Sequence, residues 1–428
     1  MNQSFCKSQM ANKPGKILLP GGFSFSALAA GIKVSGRPDL ALVEIAGGAS
    51  AAALFTRNRV AAAPVEVGRA SLRASGGRVR AVVVNSGNAN CATGSAGISA
   101  CERVCSAAAK ILRVPPDQIF PSSTGIIGVP LPDGKIRAKL RALVQARSMS
   151  EQSAGEFARA IMTTDTRPKI ASARIRVSAS QASAKARSGK SERVAGDEVT
   201  LLGIAKGAGM IHPQLATMLV YVFSDIAAEP GALRGSLREA SDESFNCISI
   251  DGDTSTNDTV LLLASGASGV GLSSAGIRKK FAAALNGVCR SLAEQIVSDG
   301  EGVQHVIGLK VAGARSREEA LTVARTIAHS MLVKTAWAGA DPNWGRILAA
   351  VGRCGVAINP ARVNIFIDGQ KVCRGGVAAR FDQQKAHRAL AAPECDVRVE
   401  LGRGREAVEF LTTDLTAEYV RINADYST

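Results

Sequence analysis

The stretch Lys206-Gly-Ala-Gly-Met-Ile-His-Pro-Gln-Leu-Ala-Thr-Met-Leu-Val-Tyr-Val-Phe-Ser-Asp225 decides how the whole chain is read. Its first half is a glycine-rich loop carrying one lysine. Its second half, Met218 to Phe223, is an unbroken apolar run of strand length, which predicts a strand covered on both faces. Thr217 stands at the junction, near the middle of 428 residues. A threonine at the mouth of a buried strand, behind a Gly/Pro loop, has the layout of a self-cleaving N-terminal nucleophile. It also suits an ordinary β-branched strand residue, so both readings stay open at this point.

Similar junctions recur on either side. Arg80 to Val84 predicts a strand ending in the turn Asn85-Ser-Gly-Asn-Ala-Asn90. Ile119-Phe120 leads into Pro121-Ser-Ser-Thr124-Gly125-Ile-Ile-Gly128, read as a strand followed by a hydroxyl-rich loop. The most polar loop, Asp251 to Thr259, runs into the apolar strand Val260 to Leu263. Polar or glycine-rich loops at the ends of buried strands are where α/β proteins hold ligands. Asp39 to Glu44 and Ala51 to Thr56 are strand-like, too. Helical spacing marks Ser99 to Leu112, Lys135 to Arg147, Glu151 to Met162, Pro230 to Phe245 and Gly276 to Ser298.

Beyond Asp299-Gly-Glu301-Gly302 the chain predicts strands at Val306 to Val311, Val363 to Ile367, Val397 to Leu401 and Glu406 to Thr412. Helices are expected at Arg317 to Ser330 and Ile347 to Val351, with Lys334 to Arg346 as a polar and aromatic loop. Arg174 to Glu198 is basic and loses apolar periodicity after Val177, which predicts a surface hairpin with a loop at its tip.

Composition narrows the function classes. Hydrophobic residues make up 46% and aromatics 4%, which suits an α/β protein packed with small and branched aliphatics. Length leaves room for two or three domains. No apolar run is long enough to span a membrane. Met1 to Lys16 lacks the apolar core of a secretory signal, so a cytoplasmic protein is expected. The formal charge is +16, but it is spread out and scarcely interleaved with aromatics, so no nucleic-acid partner is expected. It suits attraction of anionic small molecules. Nine scattered cysteines without C-x-x-C, and only four histidines, predict free thiols and no metal site.

Several motifs fail on inspection. Gly189-Lys190-Ser191 has Ala184 where a phosphate loop needs glycine, and Gly269-Val-Gly271 has Ser274 where a dinucleotide loop needs one. Asp251 to Thr259 lacks the glycine and glutamate of a calcium loop. There is no G-x-S-x-G and no H-E-x-x-H. An N-terminal threonine needs none of these. Its own α-amine, with an ordinary pKa of about 7.7–8, takes the Oγ proton near neutral pH. Making that amine requires attack of Thr217 Oγ on the Ala216 carbonyl and hydrolysis of the resulting ester. An oxyanion hole is then needed, and Thr124-Gly125 is the best candidate for it. Taken singly, Thr163 also fits a helix end and Lys206 a solvated loop lysine.

The central stretch, Lys206-Gly-Ala-Gly-Met-Ile-x-Pro-x-x-Ala216-Thr217-Met-Leu, closely resembles the cleavage-site motif of the ornithine acetyltransferase family. The resemblance extends over nearly the whole chain. It includes Gly31-Ile32-Lys33, Asn85 to Asn90, Ser123 to Gly128, Met162 to Thr166, Phe245-Asn246, Asp251 to Thr259, Asp299 to Gly302, Asp341-Pro-Asn-Trp-Gly-Arg346 and the tail Ile422-Asn423-x-x-Tyr-x-Thr428. It implies an α/β fold, a four-layer α/β/β/α sandwich with smaller α/β parts toward the C-terminus, those from about residue 301. It implies cleavage between Ala216 and Thr217 into fragments 1–216 and 217–428 that stay together, commonly two of each.

The implied nucleophile is Thr217, the implied oxyanion hole is Thr124 and Gly125, and the implied substrate contacts are Thr163, Lys206, Glu301, Asn423 and Thr428. The implied reaction moves acetyl from N2-acetylornithine to glutamate in arginine biosynthesis. No cofactor is implied, although acetyl-CoA serves some members as a donor. One departure is visible: the family's usual Ala-Thr-Lys after Glu-Gly is here Val303-Gln304-His305. A hydrolase of the related N-terminal-nucleophile aminopeptidase kind is the alternative.

Overall fold

The computed structural model describes residues 17–177, 198–212, 218–272 and 274–425. Ala216, Thr217, Thr428 and the tip of the basic 174–198 stretch lie outside the described residues.

Eight strands form the first sheet: β1 (Phe23–Leu28), β2 (Leu40–Phe55), β3 (Arg78–Asn88), β4 (Ile119–Ile126), β5 (Lys169–Arg176), β6 (Glu198–Lys206), β7 (Leu219–Ser224) and β8 (Thr259–Ala264). Their order is β4-β3-β2-β8-β7-β6-β5, with β1 also paired to β2. The two predicted strands at 39–44 and 51–56 are one long strand. Its first part, Leu40 to Glu44, pairs with β1 and β3. After an irregularity between Glu44 and Ala49, Ser50 to Phe55 pairs with β8. Strand β2 therefore belongs to both halves of the sheet and turns one over the other.

Alternation along the strands then makes the layers. Phe23, Phe25, Ala41 and Val43 from one half meet Leu202, Ile204, Tyr221, Phe223, Leu261 and Leu263 from the other. The Phe23 and Phe223 rings stand edge to face at 5.2 Å, an arrangement their quadrupoles favour. The opposite face of the first half, with Leu42, Ala81 and Val83, is covered by Val104 of α2 (Gly94–Leu112) and Leu140 of α3 (Asp133–Gln145). The opposite face of the second half, with Val220, Val222 and Leu262, is covered by α6 (Ala275–Ser298) through Phe281, Leu285 and Leu292. The architecture is an α/β/β/α sandwich. Helices α1 (Ala63–Ala74), α4 (Glu151–Ala160) and α5 (Pro230–Glu243) complete it.

The second sheet holds six strands, β9 (Val306–Ala314), β10 (Asn364–Ile367), β11 (Gln370–Arg374), β12 (Val377–Ala378), β13 (Glu394–Glu400) and β14 (Glu406–Thr413), in the order β12-β11-β10-β13-β9-β14. It packs on α7 (Arg317–Ala328), α8 (Met331–Ala338) and α9 (Trp344–Gly352), with α10 (Gln383–Leu390) contributing Leu390. The expected loop from Lys334 to Arg346 is largely helical instead. Val333, Ala336 and Trp337 lie at helical spacing and are buried, and this apolar face outweighs the polar residues between them. Trp344 already opens α9, whose cap is the Asn343 side chain, accepting from Arg346 N–H at 3.2 Å. A parallel bridge ties Ile248, in the segment between α5 and β8, to Leu411 of β14 in the second sheet. Among the described residues no helix is long and apolar enough to cross a membrane.

Candidate active site

The strand ends of the first sheet carry the polar groups. Strand β4 runs on through Thr124 and Gly125, where a loop was expected. The parallel ladder with β3 continues past Ser123, setting Ser86 beside Thr124 and Gly87 beside Gly125. Gly125 has φ +132°, and a Cβ there would lie 2.3 Å from the Gly87 carbonyl carbon, so only glycine fits. Asn257 ties this corner to the Asp251–Thr259 loop by donating to Ala89 O at 2.7 Å and Ser123 O at 2.9 Å.

Lys206 ends β6 and is only 3% exposed. Its Nζ donates to Thr124 Oγ1 at 3.2 Å. Burial lowers its pKa, opposed by Asp165, Glu301 and Asp258 and reinforced by Lys169. Asp165 sits beneath it. The Asp165 Oδ1 accepts from Gly207 N–H at 2.6 Å and from Lys169 Nζ at 2.6 Å, while Oδ2 accepts from Thr163 N–H at 3.0 Å. Burial acts to raise the Asp165 pKa, but Lys206, Lys169 and these hydrogen bonds outweigh it and hold it at about 2. Lys169, fully buried, also donates to Asp299 Oδ2 at 2.6 Å. An ionic chain thus links α6's C-terminal cap, Asp299, to the base of the glycine loop.

The loop itself is held from three sides. Glu301 N–H donates to Ala208 O at 2.9 Å. A Cβ on Gly209 would lie 2.3 Å from Glu301 Oε2, so the carboxylate rests directly on the loop backbone. The amide of Asn423, on α11 (Ala417–Asp425), donates to the same Oε2 at 2.8 Å. Asp251 accepts from Ile211 N–H at 2.9 Å and from Met210 N–H. Burial raises the Asp251 pKa to about 6, with Asp253 and Glu301 adding to the rise. On the far side of the 213–217 segment, Met218 N–H donates to Asp258 Oδ1 at 2.9 Å. Asp258 is fully buried and its pKa is pushed well up by burial.

Thr124, Gly125, Thr163, Lys206, Glu301 and Asn423, drawn from distant segments, therefore gather around one loop. Lys169, Asp165 and Asp299 belong to the same cluster but were not singled out from sequence. Their acidic members lie inside the quoted Met162–Thr166 and Asp299–Gly302 motifs, but among polar neighbours that give no local sign of burial. Lys334 was also missed. It is 2% exposed, donates to Thr413, and burial lowers its pKa to about 7 against the pull of Asp414 and Asp251. A separate groove between α5, α6 and β14, lined by Glu243, Cys247, Arg290 and Glu409, contains none of these residues. Among the described residues no His/Cys/Asp/Glu group could hold a metal ion, and the eight described cysteines are free and buried.

Four layers with a buried lysine–threonine pair and a carboxylate at the strand ends make this an α/β sandwich protein with one polar site. Comparison with known proteins gives its family. The ArgJ family profile matches residues 24–428. The arginine biosynthesis bifunctional protein ArgJ of Methylococcus capsulatus is 44% identical over 411 residues, covering 95% of each chain. That of Thermus thermophilus is 45% identical over 413 residues, covering 96% of this chain and 100% of its own. Among solved structures, argJ from Bacillus halodurans is 38% identical, with a TM-score of 0.46, over 48% of this chain and 97% of the solved one. The chain belongs to the ArgJ family, and is with it a bifunctional enzyme of arginine biosynthesis.

Proposed function

We propose that the chain cuts its own Ala216–Thr217 bond and then moves acetyl from N2-acetylornithine to glutamate through an acetyl-Thr217 intermediate. The observation that carries this is the gathering of Thr124, Lys206, Glu301 and Asn423 around the loop that leads to Thr217. In the first half-reaction Thr217 Oγ adds to the acetyl carbonyl carbon and its proton passes to its own α-amine. The C=O π pair moves onto oxygen, where the Thr124 hydroxyl and Gly125 N–H donate to it. Collapse breaks the C–N bond, and the departing α-amine of ornithine takes the proton. In the second, the glutamate amine attacks the ester, releasing N-acetylglutamate and the Thr217 hydroxyl.

Charge complementarity fits the substrate. Lys206 faces its carboxylate and Glu301 its δ-ammonium, with Thr163, Asn423 and Thr428 completing the contacts. Fragments 1–216 and 217–428 stay together, two of each, in the cytoplasm, and acetyl-CoA serves as a further donor. Thr217→Ala should remain a single full-length chain by intact mass and transfer no acetyl from acetylornithine to glutamate. Transfer by that variant would refute the mechanism. Release of free acetate without acetylglutamate by the native chain would make it a hydrolase instead.

A further inference from the structure

The Lys206–Thr124 contact constrains the one proton that an oxyanion donor must aim. Thr124 is 4% exposed and the contact is enclosed, so its hydroxyl geometry is set by protein neighbours. A threonine hydroxyl has one proton and two lone pairs, whereas a lysine ammonium only donates. While Lys206 is an ammonium, Thr124 Oγ1 must accept from it, and the Thr124 proton is left to point elsewhere. A neutral Lys206 amine offers a lone pair, which would draw the Thr124 proton toward itself. The direction of the hydroxyl therefore follows the charge of Lys206.

That charge depends on its surroundings. Glu301 and Asp258 face Lys206 and favour the ammonium, while Lys169 opposes it and Lys33 lies within electrostatic reach. Asp165 exerts the strongest attraction and is itself anchored by Lys169 and by the N–H of Gly207, the residue after Lys206. We propose that Lys206 is the positioning residue of the oxyanion hole. Its ammonium, kept charged by Asp165, donates to Thr124 Oγ1 and leaves the Thr124 proton free to meet the developing oxyanion. This rests on the acetyl-transfer reading and gives Lys206 a role beyond that of a substrate contact.

A double-mutant cycle tests it, with kcat normalised to the cleaved fraction measured by intact mass. Thr124→Val and Lys206→Met should each lower kcat about 10²-fold, the scale of a lost oxyanion donor. In the Thr124→Val background, Lys206→Met should cost less than about threefold further, because the two act as one unit. Multiplying effects, or a Lys206→Met change confined to KM, would overturn the proposal. Asp165→Asn supplies a readout that a purely structural role would not move. It removes the main attraction holding the proton on Lys206, so the alkaline limb of the kcat profile should shift to lower pH. An unmoved limb in a folded, cleaved variant would count against it. If the native chain transfers no acetyl, the function itself fails; if it does and the cycle is additive, only the Lys206 role fails.

Discussion

All six residues of β7 are buried, whereas β13 alternates buried with half-buried residues along its length. The composition follows the burial. Strand β7 reads Leu-Val-Tyr-Val-Phe-Ser because it lies between two apolar layers. Strand β13 reads Glu-Cys-Asp-Val-Arg-Val-Glu because only one of its faces is dry. The inner strands β7 and β8 leave no position for a charged side chain, and charges at the neighbouring strand ends must find partners inside the protein. Lys206 at the end of β6, Lys169 at the start of β5 and Asp258 just before β8 are such charges, joined by Asp165 from the segment before β5 and by Asp299, the cap of α6. In the second sheet charges line the open face, as with Lys310 and Glu409. The site is built where burial forces ions together.

This contrast can be broken in measurable steps. The largest loss is expected for Lys169→Met, which removes the buried ammonium that Asp165 and Asp299 share. Removing one partner of such a group costs about 3–5 kcal/mol, readable from urea unfolding. Leu263→Ala, buried between the two halves of the first sheet, should cost about 2–5 kcal/mol by the same measurement. The smallest step is Lys310→Ala, which opens only a surface pair and should stay within about 1 kcal/mol. A Lys310 effect as large as that of Lys169 would abolish the distinction between the sheets.

A pH experiment sharpens it at the seam between them. His329, after α7, contacts Ser249 at 3.0 Å and stacks on His212 with ring centroids 4.6 Å apart. Burial, reinforced by His212, lowers its pKa to about 3. Its unfolded value is higher, so the unfolded chain binds the extra proton and stability falls as pH drops from about 6.5 toward 3. Asp251, raised to about 6, acts in the opposite direction above its own unfolded value. Comparing native protein with His329→Gln isolates the histidine: between pH 6 and 4 the native chain should lose up to about 1.4 kcal/mol more for each pH unit. Parallel curves would place His329 outside this account.

Continuous apolar runs such as Met218 to Phe223 are legible in the sequence because two-sided burial leaves no choice of residue type. The four layers were not legible from such runs; they followed from resemblance, and the structure accounts for them through β2. That strand reads as two because its central Ala46-Gly-Gly48 stretch interrupts the pattern, yet the ladder with β3 resumes at Ala49 and Ser50 and β8 is the partner from Ser50 to Phe55. The Thr124–Gly125 corner was visible as a hydroxyl and glycine cluster, but the abutment of Gly125 on Gly87 comes from a parallel register that local patterning does not encode. Lys169 and Asp299 meet across a separation of 130 residues, which no spacing rule reaches.

The strand order has a mechanical consequence for a chain that is cut after Ala216. Strands β7 and β8 would then belong to the second piece, yet they lie between β2 and β6 of the first. Each piece would be clasped by the other, with Ser50 to Phe55 holding β8 and Leu201 to Lys206 holding β7. Pulling them apart would mean unzipping both ladders and opening the apolar layers on either face. A bond severed there would therefore not be a joint at which the molecule can come open. The cut would leave two pieces interleaved strand by strand, and only a precursor folded as one polymer would thread that weave correctly.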